Sequence, residues 1–257
     1  MASCSPKNCL VRHVCDIGRL NLGCTLTLYT LRMRAALRAA GLTAVNISLD
    51  SLVPAKFELL TRRLGHDRVL AAIDSALAAG FAPVKVNCVV MRGINDDELL
   101  DFVALTRDRP INVRFIEYMP FDGNAWQPKK VVSYAEMRAA VTAVHAGLQR
   151  LDDAPDEVAK NFRVPGYVGS VSFITSMTNH FCAGCTRLRL LADGALKVCL
   201  FGSSEVSLRD ALRAGADEQA LKQLIGAAVR RKKAAHAGFP VPQLAMQPNR
   251  PMVRIGG

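Results

Sequence analysis

The stretch FCAGCTRLRLLADGALKVCLF, residues Phe181–Phe201, carries three cysteines at a spacing typical of a metal centre. Cys182 and Cys185 form a C-x-x-C pair, which can grip one metal centre from a tight turn. Cys199 follows after thirteen intervening residues and can supply a third sulfur. The stretch therefore predicts a site with three thiolate ligands.

The residues between these cysteines predict a β-hairpin. Leu188–Leu191 and Leu196–Leu200 are apolar runs on either side of Asp193-Gly194, a dipeptide typical of tight turns. Such a hairpin would fold Cys199 back towards the C-x-x-C pair.

Three sulfurs leave three interpretations open. A structural zinc would need a fourth ligand, and His180 is the nearest candidate. An iron–sulfur cluster held by three cysteines would keep one iron open for a substrate atom. A redox dithiol would use only Cys182 and Cys185 and leave Cys199 as an ordinary buried thiol.

Two arginines follow the cysteine pair at a spacing that places both on one side of a strand. Arg187 and Arg189 could bind a phosphate or carboxylate bidentately, so they favour an anionic ligand beside the metal. The alternative is a pair of solvated arginines at a hairpin edge.

The motif C-x-x-C-x-R-x-R, the Asp-Gly turn and the third cysteine resemble the C-terminal cluster motif of the molybdenum cofactor biosynthesis protein A family, the radical S-adenosylmethionine (SAM) GTP 3′,8-cyclases. The resemblance runs over residues 34–257 and is strongest to the animal-type form. It includes the segments NISLDS, VKVNCVVMRGIND, RFIEYMPFDGN and SFITSMT and the terminal Gly-Gly. Thr186 departs from the family, which commonly carries asparagine there.

This resemblance implies an activity and a set of ligands. The activity would be conversion of GTP to (8S)-3′,8-cyclo-7,8-dihydroguanosine 5′-triphosphate in molybdopterin biosynthesis, started by a radical from SAM. The implied roles are a [4Fe-4S] cluster on Cys182, Cys185 and Cys199, GTP on Lys85, Arg187 and Arg189, SAM on Ser48 and Met119, and a tail, Gly256 and Gly257, that reaches into the site. The resemblance also implies other molybdopterin-pathway enzymes as partners and the mitochondrial matrix as location, with the cytosol as the alternative.

Residues 1–31 fit the family least well. A radical SAM enzyme holds its reducing cluster with C-x3-C-x2-C, whereas Cys4, Cys9, Cys15 and Cys24 offer no trio at that spacing, and the glycine-rich GGEP stretch is absent. We therefore expect an atypical leader on an N-terminally truncated or alternatively spliced form, in which SAM binding is impaired. The alternative to an enzyme is then a non-catalytic GTP- and cluster-binding isoform.

The leader contains one segment with strand-like alternation, residues 21–29. This segment could replace a lost barrel strand. An unpaired sheet edge would otherwise favour self-association, so a homo-oligomer is expected if the edge stays open.

The middle of the chain alternates strands and helices. This order predicts an α/β fold with a parallel sheet, here an incomplete TIM-like (β/α) barrel of the radical SAM type over residues 32–148. A linker, 149–170, and a C-terminal cluster- and GTP-binding region, 171–257, would follow. The predicted strands are Ala44–Leu49, Val84–Val90 and Ile111–Met119, and the predicted helices are Pro54–Arg62, Arg68–Ala79, Asp96–Thr106, Ser133–Val144, Ser207–Arg213 and Asp217–Lys233.

Polar residues interrupt these strands, although strands buried on both faces should be almost wholly apolar. They are Asn46, Ser48 and Asp50 in the first strand, Lys85 and Asn87 in the second, and Arg114 and Glu117 in the third. Since unpaired burial would cost several kcal/mol, we expect these groups to face a ligand-filled barrel interior or the carboxyl ends of the strands. The alternative is internal pairing, for example Lys85 with Asp50.

Composition excludes some classes of protein. The 257 residues are 50% hydrophobic, enough for a sizeable core, and no apolar run is long enough to span a membrane. A formal net charge of +11 fits an anionic partner, but no aromatic-interleaved basic motif indicates nucleic acid. Eight cysteines without a disulfide framework favour a reducing compartment. A zinc-stabilised basic binding protein is the remaining alternative.

Overall fold

Four parallel strands form the centre of the sheet in a computed structural model, which describes residues 41–42, 44–154 and 157–255. Two short antiparallel strands extend this sheet at one edge, in the order β1-β2-β3-β6-β5-β4. The strands are β1 Val45–Ser48, β2 Val84–Val90, β3 Ile111–Glu117, β4 Gln149–Arg150, β5 Lys160–Arg163 and β6 Ser170–Ile174. The predicted α/β class with a mostly parallel sheet is confirmed.

One face of the sheet is apolar and carries the main core. Val86, Val113, Val171 and their neighbours on this face are fully buried against helices that begin after the strands. The helices are α1 Pro54–Thr61, α2 His66–Ala78, α3 Leu99–Ala104 and α4 Tyr134–Val144. Burial of this face supplies the main driving force for folding.

The helix predicted to begin at Ser133 starts as expected. The Ser133 side chain accepts a hydrogen bond from the Glu136 backbone N–H, while the Glu136 carboxylate accepts from the Ser133 backbone N–H, so α4 begins with a complete capping box. The predicted helix over 96–106 is instead a 3-10 turn, Asp96–Glu98, followed by α3.

Residues 149–170 differ from the linker that we predicted. They include β4 and β5, which pair as a hairpin, and β5 then pairs antiparallel with β6. Phe162 is buried and packs edge-on against Phe173 at a ring distance of 5.6 Å. A single buried aromatic in a short polar strand carries too little periodicity to be recognised from sequence.

The C-terminal part has its own three-stranded antiparallel sheet. It consists of β7 Arg189–Leu190, β8 Ala195–Lys197 and β9 Glu205–Ser207, with α5 Leu208–Arg213, α6 Glu218–Arg230 and α7 Val241–Leu244. The hairpin predicted around Asp193-Gly194 is confirmed, and Gly194 takes a positive φ of 79° in its turn. One prediction was wrong here: the helix after Asp217 ends at Arg230 rather than Lys233. Pro242 lies in the first turn of α7, where proline is tolerated.

Several predictions fall outside the described residues. They concern the leader 1–31, its four cysteines, the strand at 21–29, and Gly256 and Gly257. Among the helices that the structure describes, none combines the length and apolar character needed to cross a bilayer.

Candidate functional site

The second face of the parallel sheet carries a polar surface. In the register of β1 with β2, Asn46 pairs with Lys85 and Ser48 pairs with Asn87. In the register of β2 with β3, Lys85 pairs with Asn112 and Asn87 pairs with Arg114. Since paired residues of parallel strands point to the same side, these six side chains form two polar rows across β1, β2 and β3. A polar face is therefore present opposite the helix-covered core, whereas Glu117 lies on the core side of β3.

Arg114 is the main charged group of this surface. Its side chain is buried and donates a long hydrogen bond, 3.4 Å, to Asn46 Oδ1. No described carboxylate lies within ion-pair distance. Burial lowers the pKa of Arg114 to about 10; attraction by Glu157 offsets part of this lowering, and repulsion by Arg187 adds to it. The guanidinium stays charged at neutral pH, so it is a buried cation without a close anionic partner.

Asn87 is a second incompletely bonded group in the same row. Within the described part of the chain, its buried Oδ1 atom has no hydrogen-bond partner. Buried polar atoms are normally satisfied, and a vacant acceptor at this point suits a hydroxyl or amino donor on a ligand.

The C-terminal hairpin carries two further arginines towards Arg114. Arg187 is exposed and lies close enough to Arg114 and to Arg189 to repel both. Burial is the largest cause of the lowered pKa of Arg189, and Arg187 adds to it. The Arg187 guanidinium group thus lies near both others, and an anionic ligand would relieve the repulsion, which Glu157, Cys185 and Cys199 offset in part.

The three cysteines of the motif lie near one another and are all half-buried. Burial raises the pKa of the Cys182 thiol, and the neighbouring Cys199 and Cys185 sulfurs raise it further. Burial would also raise the pKa of Cys185, but a hydrogen bond from the Arg187 backbone and the Lys232 ammonium group outweigh it and lower that pKa. At least one thiol of the three is therefore stabilised as a thiolate, the form that binds metal.

The three thiols are the candidate metal ligands of this site. Three thiolates suit a [4Fe-4S] cluster, which spreads its cysteine ligands over several irons. His180, the candidate fourth ligand for zinc, is exposed and packs edge-on against His236 at 4.8 Å between ring centroids. Among the described residues, no three His, Cys, Asp or Glu side chains lie close enough to hold one metal ion.

The loop that leads into Cys182 is fixed by a buried carboxylate. Glu117, at the end of β3, accepts hydrogen bonds from the backbone N–H groups of Met177 (2.6 Å) and Thr178 (2.9 Å), from the Thr178 hydroxyl, and from the Tyr134 backbone N–H (2.9 Å). These four donors tie the end of β3 to residues 177–178 and to α4. The sequence analysis noted Glu117 but assigned it no such role.

The remaining predicted residues lie around the same edge. Ser48 ends β1 in the row with Asn87 and Arg114, and Lys85 lies in the row below. Met119 is buried with Met177 and Phe201, and Cys199 packs against this group. Asp50 accepts a hydrogen bond from the Val89 backbone N–H (2.8 Å), four residues along β2 from Lys85.

Two residues near the cysteines were missed in the sequence analysis. Lys232 contacts Cys185, and His236 contacts Cys182 through its backbone N–H. Lys232 falls inside the helix predicted over Asp217–Lys233, whereas α6 ends at Arg230, so Lys232 lies beyond the helix, where it reaches the cysteine loop.

Comparisons with known proteins agree with this geometry. Residues 7–106 match the sequence model of the Radical SAM superfamily, and residues 111–238 match the model named Molybdenum Cofactor Synthesis C. The first match covers β1 and β2, and the second covers β3 and the cysteine motif.

Relatives with established names are closely similar. The chain is 63% identical over 241 residues to "GTP 3′,8-cyclase, mitochondrial" of Arabidopsis thaliana. This match covers 93% of this chain and 61% of the plant protein. It is 59% identical over 225 residues to "Molybdenum cofactor biosynthesis protein 1" of Mus musculus, covering 88% of this chain and 35% of the mouse protein. It is 45% identical over 201 residues to "GTP 3′,8-cyclase" of Moorella thermoacetica, and the match covers 78% of this chain and 62% of the Moorella protein. The chain thus spans less than two thirds of each of these relatives.

Proposed function

This chain belongs to the molybdenum cofactor synthesis family of radical SAM proteins, and from that membership we propose that it binds GTP and acts in its conversion to (8S)-3′,8-cyclo-7,8-dihydroguanosine 5′-triphosphate. The observation that carries the proposal is Arg114, a buried cation with no close carboxylate among the described residues, beside Arg187. A triphosphate supplies the negative charge that this pair lacks.

We assign GTP binding to four residues. Arg187 and Arg189 come from the hairpin, Lys85 and Arg114 from the polar face of the sheet, and Arg114 is added to the set expected from sequence. Together they would fix the triphosphate and hold the nucleoside in one orientation, which is the protein's main contribution to a cyclisation within one molecule. Asn87 offers a buried acceptor for a ligand hydroxyl in the same row.

Cys182, Cys185 and Cys199 would hold a [4Fe-4S] cluster, which leaves one iron without a protein ligand and thus offers a Lewis-acidic position for the substrate. Radical SAM proteins use a [4Fe-4S] cluster together with SAM. Ser48 and Met119 would contact SAM, since Ser48 ends its strand and Met119 follows its own at the carboxyl edge of the sheet. The name of the plant relative supports a mitochondrial location, and Gly256 and Gly257 would complete the site as a tail.

The cysteine spacing in residues 1–31 favours a second candidate, a GTP- and cluster-binding role without turnover. One experiment separates the two. The chain is reconstituted anaerobically with iron and sulfide, then given GTP, SAM and dithionite, while GTP binding is measured by equilibrium dialysis and the product by mass spectrometry. Turnover supports the enzyme, and binding without turnover supports the second candidate. Loss of GTP binding altogether, or uptake of zinc in place of iron, would contradict both.

A further inference from the structure

The segment that follows α6 contacts the cysteine loop at Cys185. The Lys232 ammonium group donates to the Cys185 carbonyl oxygen at 2.5 Å and lies 3.4 Å from both the Cys185 Sγ atom and the Arg187 carbonyl oxygen. One half-buried cation therefore fixes the backbone on both sides of Thr186 and places its charge against a sulfur.

The same segment also contacts Cys182. The backbone N–H of His236 hydrogen-bonds the Cys182 thiol, and the His236 ring is buried with Nε2 2.8 Å from the Ser176 carbonyl oxygen. Phe201 packs edge-on against that ring at 5.4 Å between centroids. His236 thus contacts Cys182, Ser176 in the segment that precedes it, and Phe201, two residues after Cys199.

The backbone of this segment is strained where it makes these contacts. His236 and Ala237 take positive φ values of 41° and 56°, which side-chain-bearing residues rarely adopt. Such conformations persist when surrounding contacts impose them, and they concentrate at functional sites. Here the imposing contacts are those of the buried His236 ring.

We propose that Lys232 and His236, which we call the clasp, are positioning residues for the iron–sulfur cluster: Lys232 holds Cys185 and adds a positive charge beside the cluster, and His236 holds Cys182. This inference rests on the proposed cluster-binding function and deepens it. Hydrogen bonds and charges at ligand sulfurs orient the ligands, and they favour the more negative, reduced state of a cluster.

Lys232→Gln tests the clasp, with Lys233→Gln as the matched control. Lys233 is the next residue and is exposed, so both variants lose one charge at adjacent positions. After anaerobic reconstitution, iron loss to a chelator and the midpoint potential of the cluster are measured for each chain. Lys232→Gln should lose iron about tenfold faster than the parent. Its potential should fall, because removal of a nearby positive charge makes the added electron less favourable.

Lys232→Arg should restore much of the potential, because it retains the charge, and Lys233→Gln should behave as the parent. Equal iron retention and equal potentials in Lys232→Gln and Lys233→Gln would overturn the clasp while leaving cluster binding intact. A parent chain that takes up no iron would overturn the proposed function and the clasp together. Equal far-ultraviolet circular dichroism of the apo chains establishes that the variants are folded.

Discussion

Arg114, in the middle of β3, and Arg187, two residues after the cysteine pair, lie close enough for their guanidinium groups to repel each other. The first belongs to the parallel sheet and the second to the loop that leads into the C-terminal hairpin, so the repulsion arises where the two parts of the molecule meet. Arg114 is also buried, which adds a desolvation cost. Desolvation and repulsion by Arg187 both disfavour the charged Arg114, and attraction by Glu157 offsets part of this cost.

Replacing Arg114 should therefore have opposite effects on stability and on binding. Arg114→Met removes a buried, poorly paired charge, so the apo chain should gain about 1 kcal/mol or more in free energy of unfolding. The same change removes a charge-assisted contact worth about 1.5–3 kcal/mol, so GTP affinity should fall about 10- to 100-fold. Urea denaturation and equilibrium dialysis provide the two values.

The control for this prediction is Arg163→Met on the exposed side of β5. It makes the same chemical change outside the proposed site and should alter neither value appreciably. If Arg114→Met lowered stability and bound GTP as the parent does, Arg114 would be a structural residue.

Much of this fold could be predicted from sequence because local rules determine it. The bounds of β2, the capping box of Ser133 and Glu136, and the turn at Asp193-Gly194 each depend on residues close together in the chain. The meeting of Arg114 with Arg187 could not be derived in this way, since it depends on how the hairpin docks on the sheet. The true end of α6 decides the contact of Lys232 with Cys185, and helix ends are poorly determined by local sequence.

The buried carboxylate of Glu117 should be important for both stability and cluster retention. Glu117→Gln keeps the shape but replaces one carboxylate oxygen by an amide N–H₂. This group faces either the Met177 and Thr178 backbone N–H groups or the Tyr134 backbone N–H, so at least one backbone donor loses its acceptor. We expect a loss of about 1–3 kcal/mol in free energy of unfolding. Iron should also dissociate faster, because residues 177–178 lead into Cys182.

Glu58→Gln on the exposed face of α1 serves as the control, since it makes the same substitution without a buried network. Equal urea midpoints for Glu117→Gln and Glu58→Gln would show that the four donors at Glu117 contribute little.

The C-terminal tail is held by one arginine. Arg250 forms an ion pair with Glu205 through two hydrogen bonds and contacts Asp193 at 2.6 Å, and Ile255 beyond it is buried beside Leu191. Arg250→Gln should release residues 250–255, which hydrogen exchange of their backbone amides would detect as lost protection. Arg231→Gln, at an exposed position, should leave that protection unchanged. Unchanged protection in Arg250→Gln would mean that apolar packing of Ile255 alone holds the tail.

Asp50 should make stability depend on pH. Burial raises its pKa from 3.8 to about 6, against the effect of the hydrogen bond from Val89. A raised pKa in the folded state means that the contribution to stability is complete below pH 3.8 and is lost as pH rises through 6. The parent should therefore lose stability relative to Asp50→Asn between about pH 4 and pH 7, by at most about 3 kcal/mol. Urea midpoints of both chains across this range would show the difference, and parallel pH profiles would exclude an elevated pKa at Asp50.

The most direct measurement is the iron content of the anaerobically reconstituted chain, compared between the parent, Cys199→Ala and Cys88→Ala. Cys88 is a buried thiol of β2 on the core side of the sheet and so serves as the control. We predict about four irons on the three motif cysteines, lost in Cys199→Ala and retained in Cys88→Ala; a total of about eight in the parent would indicate a second cluster as well. Equal iron in all three chains, or zinc in place of iron, would contradict a cluster held by Cys182, Cys185 and Cys199.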